Sequence, residues 1–340
     1  MTQLTVGRHT LSTQLPRFAN LRLPSASEQT GSVMPQTGRL TYQLEGEGMP
    51  AGGKPTVRSR RLGYALRRHR EAAGLDQSDG AEAIMKSVTK VSRLESGQTS
   101  ASALEIRTLL DRYGVEDAEE RNRLMEWSRR SNERGWWIDY QPTLRSGYAD
   151  HITLESDATY IRIWEPVLVP GLLQTPEYIE AVITTGPRVI PPDQVAELVK
   201  LRLERQHRIE AGGVRFAAVI WEPALMGLPD EGDIRENQLT HLLDVGKRQN
   251  VTVQLLPTSA ALTAGMSGSF TAFSFGVEAN VEAVTLDNPA HVNVVEGPEE
   301  LAQYVNVFDQ LRSAAMSPDE SASRIQQLLG AESAAQRSDK

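Results

Sequence analysis

Between positions 51 and 100 the chain sets ten basic side chains (Lys54, Arg58, Arg60, Arg61, Arg67, Arg68, Arg70, Lys86, Lys90, Arg93) against five acidic ones (Glu71, Asp76, Asp79, Glu82, Glu95). The segment therefore carries +5 within a 340-residue chain whose total is −8, which leaves −13 on the remainder. Cations clustered on an otherwise anionic chain suit the neutralisation of a phosphate backbone, with the acidic remainder repelled from it and so orienting the molecule. A solvated basic helix is the plainer reading of a charge run, and packing and turn signals must choose between the two.

Those signals are present. Leu62, Leu66, Ala73 and Leu75 make the apolar side of a first helix and its exit, where Gly74 is placed to end it. Ala81 and Ile84 mark the inner side of a second, short helix beginning near Asp76, and Val91 and Leu94 that of a third beginning after Ser87. With Val91 and Leu94 turned inward, Val88, Thr89, Ser92 and Arg93 fall outward at helical spacing. A basic first helix followed by such a pair reads as a helix-turn-helix whose outward face enters a major groove.

Elsewhere the residues that do chemistry are scattered. There is no cysteine, which removes disulfides, thiol catalysis and cysteine metal sites. His9, His69, His151, His207, His241 and His291 lack the short spacing of a helical metal site. The fragment GMSGS at 265–269 lacks the final glycine of a nucleophile elbow and fits a turn before a strand. Glu165 and Glu222, each followed by proline, could be read as a hydrolase carboxylate pair, although carboxylates near turns are common. The expectation is a protein that is not an enzyme and carries no cofactor and no metal.

The predicted organisation is an all-α helix-turn-helix head followed by an α+β or α/β domain. Residues 1–54, rich in Thr, Ser, Gly, Pro and Gln, read as a disordered extension. Residues 55–115 form the head, 116–137 a linker helix with Asp117 and Glu120 as its capping box, 138–330 the second domain, and 331–340 a disordered tail. Ala103, Ile106, Leu109 and Leu110, closed by Tyr113 and Gly114, give the head a fourth helix. In the second domain helices are expected at 175–184, 193–210, 233–250 and 298–315, and strands at 214–221, 251–256, 269–275 and 281–286. Trp136 and Trp137 either line a ligand pocket or seal the domain junction; large aromatics are more often core, which favours the junction. No apolar run is long enough to span a bilayer and no leader is visible, so the expected compartment is the cytoplasm, at the nucleoid.

The run GLDQSDGAEAIMKSVTKVSRLESG resembles the helix-turn-helix of the phage-repressor (lambda-repressor-like) or xenobiotic-response-element class, without a gap. The resemblance implies that Gln77 holds a phosphate together with the amino terminus of the second helix. It implies that Val88, Thr89 and Arg93 face bases, with Ser87 and Lys90 at the groove edge, and that Arg70 and Glu95 form a structural pair. Gly80 departs from that pattern where an apolar residue is usual, and Met85 where the turn usually has glycine, a strained choice if the position has positive φ. Over about 55–330 the segments LLDRYGV, RGWW, IRIWEPVLVPGLLQTPEYIEAVI, LRLERQ and VFDQLRSAAMSPDES resemble the actinobacterial WhiJ-like regulators, VPGLLQTPEY most specifically. Met49 and Pro50 stand just before that resemblance begins, so the first 48 residues read as an upstream start or as a basic arm for a minor groove built on Lys54, Arg58, Arg60 and Arg61.

That resemblance implies a transcriptional regulator, often encoded beside a small BldB-like partner protein, and supplies no ligand. One such head reads only a few base pairs, so a homodimer on duplex DNA is expected, and a sizeable second domain without a catalytic set is expected to sense a small-molecule effector or a small partner protein. An antitoxin-like protein-binding module with autoregulatory DNA binding is the alternative. An enzyme with a DNA-binding appendage is the weaker one.

Overall fold

The computed structural model describes residues 56–338 apart from 131–134, 188, 211, 231–232, 261–267, 277–278 and 289. The extension 1–54, with Lys54, lies outside the described residues, as does most of GMSGS. The described chain has two domains, a helical head over 57–130 and a carboxy-terminal domain built on a mixed sheet.

Five helices make the head: α1 (Val57–Ala72), α2 (Gln77–Ala83), α3 (Val88–Glu95), α4 (Ala103–Arg112) and α5 (Ala118–Arg130). Their starts follow local chemistry, since the side chains of Thr56, Asp76, Ser87 and Ser102 each accept from backbone amides of the first turn. Leu62 and Leu66 of α1 pack with Ile84, Val91, Leu94, Ile106 and Leu109, as their helical spacing requires. Asp117 accepts from the Glu120 amide at 2.7 Å, the expected start of α5. That helix is no mere linker: Leu124 is fully buried in the head core, so the head extends past the expected boundary at 115.

Gly80 is explained by its neighbour. A Cβ there would stand 2.5 Å from the Tyr113 hydroxyl, so the ring of Tyr113 occupies the volume that an apolar side chain on α2 would fill. The Tyr113 hydroxyl is buried and has no hydrogen-bond partner among the described residues, and burial above all pushes the phenol up to about 12.

The second domain comprises α6 (Tyr148–Asp157), β1 (Tyr160–Glu165), α7 (Pro176–Thr185), α8 (Pro192–Gln206), β2 (Arg215–Trp221), α9 (Glu222–Met226), α10 (Ile234–Val245), β3 (Val251–Leu256), β4 (Phe270–Ser274), β5 (Ala283–Asp287), β6 (Val292–Val295), α11 (Pro298–Ala314) and α12 (Pro318–Ser338). The six strands run in the order β3-β2-β1-β4-β5-β6, with β1, β2 and β3 parallel and β4, β5 and β6 antiparallel. Strand β2 shows why: Phe216, Ala218 and Ile220 face one core and Ala217 and Val219 the other, the continuous apolar run of a strand buried on both faces. Phe308 and Leu311 of α11 cover the second face, and the first is covered by α10, α12 and the loop after β1.

Both edges of the sheet are partly bonded by flanking segments. At β3 the Met316 amide donates to the Leu255 carbonyl at 2.9 Å, and the Leu255 amide donates to the Ser321 hydroxyl at 2.9 Å. Beside β6 the Val292 amide donates to the Ser146 carbonyl at 2.9 Å.

All four expected strands and four expected helices are present within a few residues, whereas β1, β6, α6, α9 and α12 are additional. Helix α6 buries Ile152, Thr153, Leu154 and Glu155 in succession, so its sequence shows no apolar stripe. Helix α12 runs on to Ser338, through most of the segment expected as a tail, along an Ala-rich stretch with high helix propensity.

Gly80→Ala should destabilise the head despite gaining about 1 kcal/mol of helix propensity, because the new methyl meets the Tyr113 hydroxyl. Tyr113→Phe should be neutral or stabilising by up to about 1–3 kcal/mol, since it removes an unsatisfied buried hydroxyl. Urea midpoints of the two single variants and the double variant should show the double as more stable than the sum; simple additivity would refute the contact.

Candidate nucleic-acid interface

The turn between α2 and α3 is tight. Met85 adopts φ 52° and is 89% exposed, so its side chain gains no burial to offset a left-handed backbone. The Lys86 amide closes the turn on the Ala81 carbonyl at 2.9 Å. Serine 87 (Ser87) then caps α3 by accepting from the Lys90 amide at 3.2 Å.

Helix α3 presents two faces as its spacing predicts. Val91 and Leu94 are buried in the head core, while Val88, Thr89, Ser92 and Arg93 are exposed. The Arg93 guanidinium makes no hydrogen bond or ion pair among the described residues, which leaves its fork open to a base edge. Close approach of α1 to the end of α3 requires Gly63, where a Cβ would lie 2.4 Å from the Leu94 carbonyl oxygen.

A single carboxylate ties the three helices together. Arg70 of α1 donates to Glu95 through Nε at 2.6 Å and Nη2 at 3.0 Å, and its Nη1 donates to the Leu75 carbonyl at 2.8 Å. The hydrogen bond to Glu95 holds the Arg70 guanidinium above its ordinary pKa. The structural pair is therefore formed as expected. Gln77 joins it, donating from Nε2 to Glu95 at 2.9 Å.

That bond corrects the role expected of Gln77. Its amide is directed at Glu95, and the amino terminus of α2 is already served by Asp76, which accepts from the amides of Ser78 at 2.7 Å and Asp79 at 3.1 Å. Hydrogen bonds from the Ser78 hydroxyl and these amides hold the Asp76 carboxyl below its usual range, so a negative charge stands where the phosphate was expected. Lys90 is also committed, its ammonium donating to Thr99 Oγ1 at 3.2 Å and to the Ser100 carbonyl.

The larger correction concerns Arg60 and Arg61. Neither lies in an arm reaching for DNA: both are on α1 and are paired with carboxylates of the second domain. Arg60 meets Asp150 at 3.1 Å and Glu296 at 3.7 Å. Arg61 is buried between the rings of Trp127, 4.1 Å from its centroid, and Phe275, at 3.4 Å, and meets Glu282 at 3.4 Å. Burial lowers its pKa to about 10 against the opposing pull of Glu282. Arg58 forks onto Asp157 at 2.7 and 2.8 Å. The residues absent from the sequence reading are thus Trp127, Asp150, Asp157, Phe275, Glu282 and Glu296; for the four carboxylates the acidic balance of the remainder was the signal, and it does not single them out.

Trp137 is buried with Ile152 and Leu201, and the Arg58 guanidinium lies 5.9 Å from its ring centroid, which puts it at the junction. Trp136 stands edge-on to it at 5.8 Å and is 39% exposed. Glu165 and Glu222 do not form a pair. Glu222 is held by Arg324 at 2.6 Å, whereas Glu165 accepts from the Val167 and Leu168 amides and burial pushes its carboxyl up to about 7. Among the described residues no group of three or more His, Asp or Glu is arranged to hold a metal ion, and no helix is long and apolar enough to cross a membrane.

Two family profiles match this chain. One, described as a helix-turn-helix domain, covers residues 61–124, and the other, described as domain of unknown function (DUF5753), covers residues 148–327. No curated protein matches the chain.

With α3 open and α1 docked, two arginines should behave differently. Arg93→Ala should cost about 1–3 kcal/mol of discrimination between specific and random duplexes. Arg60→Ala should leave the salt slope of DNA binding as steep as before, because Arg60 faces Asp150 and Glu296. Titrations on both duplexes at several salt concentrations check this; a flattened slope for Arg60→Ala would return that residue to the DNA.

Proposed function

The chain belongs to the DUF5753 family and carries a helix-turn-helix domain ahead of that domain, and from this premise we propose that it is a WhiJ-like, sequence-specific transcriptional regulator whose carboxy-terminal domain controls the head. The head reads DNA through α3. Arg93 forks onto a guanine, and Val88 or the Thr89 methyl meets a thymine methyl. One head covers only a few base pairs, so the acting species is a homodimer on two half-sites at the nucleoid.

A single observation carries the control: α1 belongs to both domains. Val57 is buried in the core of the second domain, Leu62 and Leu66 are buried in that of the head, and Arg58, Arg60 and Arg61 between and beside them meet carboxylates of the second domain. A small molecule or a small BldB-like partner that binds the docked and undocked arrangements unequally shifts DNA occupancy, with a typical coupling of about 1–3 kcal/mol. The second domain is on this reading a sensor and not a catalyst.

Mobility shifts of the purified full chain on fragments of its own promoter region should show retardation at low salt by a dimer. Absence of retardation, with cell extract added, would refute the reading. The coupling has its own test. Replacing both Asp150→Asn and Asp157→Asn frees cations of α1, so affinity for random duplex should rise and its salt slope steepen; an unchanged slope would show that docking does not govern the head.

A further inference from the structure

At the carboxyl end of β1 the second domain holds a cleft of about 100 Å3 between the loop after that strand, α6, α8, the start of β4 and the end of β5. Here the sheet changes direction. The chain leaves β1 for β2 on one side, while β4 pairs with β1 antiparallel on the other, and such switch points in open sheets are where ligands bind.

The wall of the cleft is the block 169–178, VPGLLQTPEY, and it is fastened by its own polar groups. Gln174 donates to the Val169 carbonyl at 2.7 Å, and the Thr175 amide donates to Gln238 Oε1 at 2.9 Å. Gln238 in turn donates to the Leu173 carbonyl at 2.7 Å. The floor is equally committed. Arg205 forks onto Glu155 at 2.8 and 2.7 Å, donates to the Tyr148 hydroxyl, and donates to His151 Nε2 at 3.1 Å. His151 also meets Thr285 through Nδ1···Oγ1 at 2.8 Å and stands 3.6 Å from Glu155.

Two charged groups on the cleft remain without an opposite charge. Glu165 accepts only from the amides of Val167 and Leu168 and has no cation within ion-pair distance among the described residues. Arg202 donates to the neutral Gln174 at 3.1 Å and likewise has no carboxylate within that distance. Both act on the phenol of Tyr178, Glu165 raising its pKa and Arg202 lowering it, although burial is the larger cause, so they stand around the same ring.

We propose that this cleft binds a small zwitterion of the α-amino-acid type, its ammonium on Glu165 and its carboxylate on Arg202, as the effector of the regulator. The proposal rests on the regulatory reading above and deepens it. Asp287, forked onto Arg145 at 2.8 Å, adds negative potential at the Glu165 end. Helix α6 links the cleft to the head: Tyr148 and His151 line the cleft, and Asp150 and Asp157 of the same helix hold Arg60 and Arg58.

The test is a thermal-shift and calorimetric screen of the full chain against the common α-amino acids, with the N-acetyl and carboxamide derivatives of any that bind. At least one amino acid should raise the midpoint, and each derivative should bind about tenfold or more weakly, since each lacks one charge. Glu165→Gln, which is near-isosteric, and Arg202→Gln, which shortens the side chain and removes its charge, should each abolish the shift. Binding near pH 7 should release protons, read from the dependence of the heat on buffer, because Glu165 ionises against the ammonium. A pH series controls for folding. The carboxyl, raised from 4.5 to about 7, makes the unliganded chain lose stability as pH rises through about 7, and a folded Glu165→Gln variant loses that dependence. No binding at millimolar concentration, equal binding of the derivatives, or a shift that survives in both variants would overturn the proposal. DNA retardation is scored separately, so a chain that binds DNA but no amino acid loses the effector site alone, and one that binds an amino acid but no DNA loses the regulatory reading alone.

Discussion

Two guanidiniums near the start of the first helix have to be taken out of water if that helix is to serve two cores, and the arrangement of both domains follows from how they are satisfied. Val57 draws the start of α1 into the second domain, and Leu62 holds the next turn in the head. Arg58 and Arg61, close to those anchors, are buried in consequence. A buried guanidinium stripped of its partner costs about 3–5 kcal/mol, which explains why Asp157 and Glu282 are brought from far along the chain to meet them. Arg61 also shows that a cation can be held by aromatic faces, with Trp127 on one side and Phe275 on the other.

The reading face of α3 is organised independently of that junction. Its position comes from Gly63, which admits the α3 carbonyls against α1, and from Glu95, where Arg70 and Gln77 converge. The polar bonds of the head therefore hold it together as a unit, and Val88, Thr89, Ser92 and Arg93 are left exposed on the outward face of α3. A strained Met85 in the turn is tolerated because the capping bonds on either side of it over-determine the backbone.

What could be read from the sequence divides along the range of the interactions. Caps at Asp76 and Ser87, the stop after Tyr113, and the inward pair Val91 and Leu94 are local, and each is found where its spacing puts it. The strand β2 was legible from its unbroken apolar run. The destiny of Arg60 and Arg61 was not, because their partners lie far along the chain: Asp150 is on α6, a helix with no amphipathic signature, and Glu282 stands before β5. A charge count cannot separate cations that face phosphate from cations that face the chain itself. The role of Gln77 failed for a related reason: Glu95 competes for it from eighteen residues away. The cleft beside β1 was invisible because it takes Glu165 and Arg202 from segments whose proximity only the sheet order creates.

The partly bonded edges of the sheet bear on how copies of this protein can associate. Strand addition requires a free ladder of amides and carbonyls, and here the segment around Met316 and Ser321 takes part of that of β3 while Ser146 bonds beside β6. A two-fold assembly built by continuing the sheet from one copy into the next is thereby disfavoured. On the dimeric reading proposed above, symmetric pairing would then use helical surfaces, which move as rigid bodies and can change the separation of two reading heads without unzipping any strand.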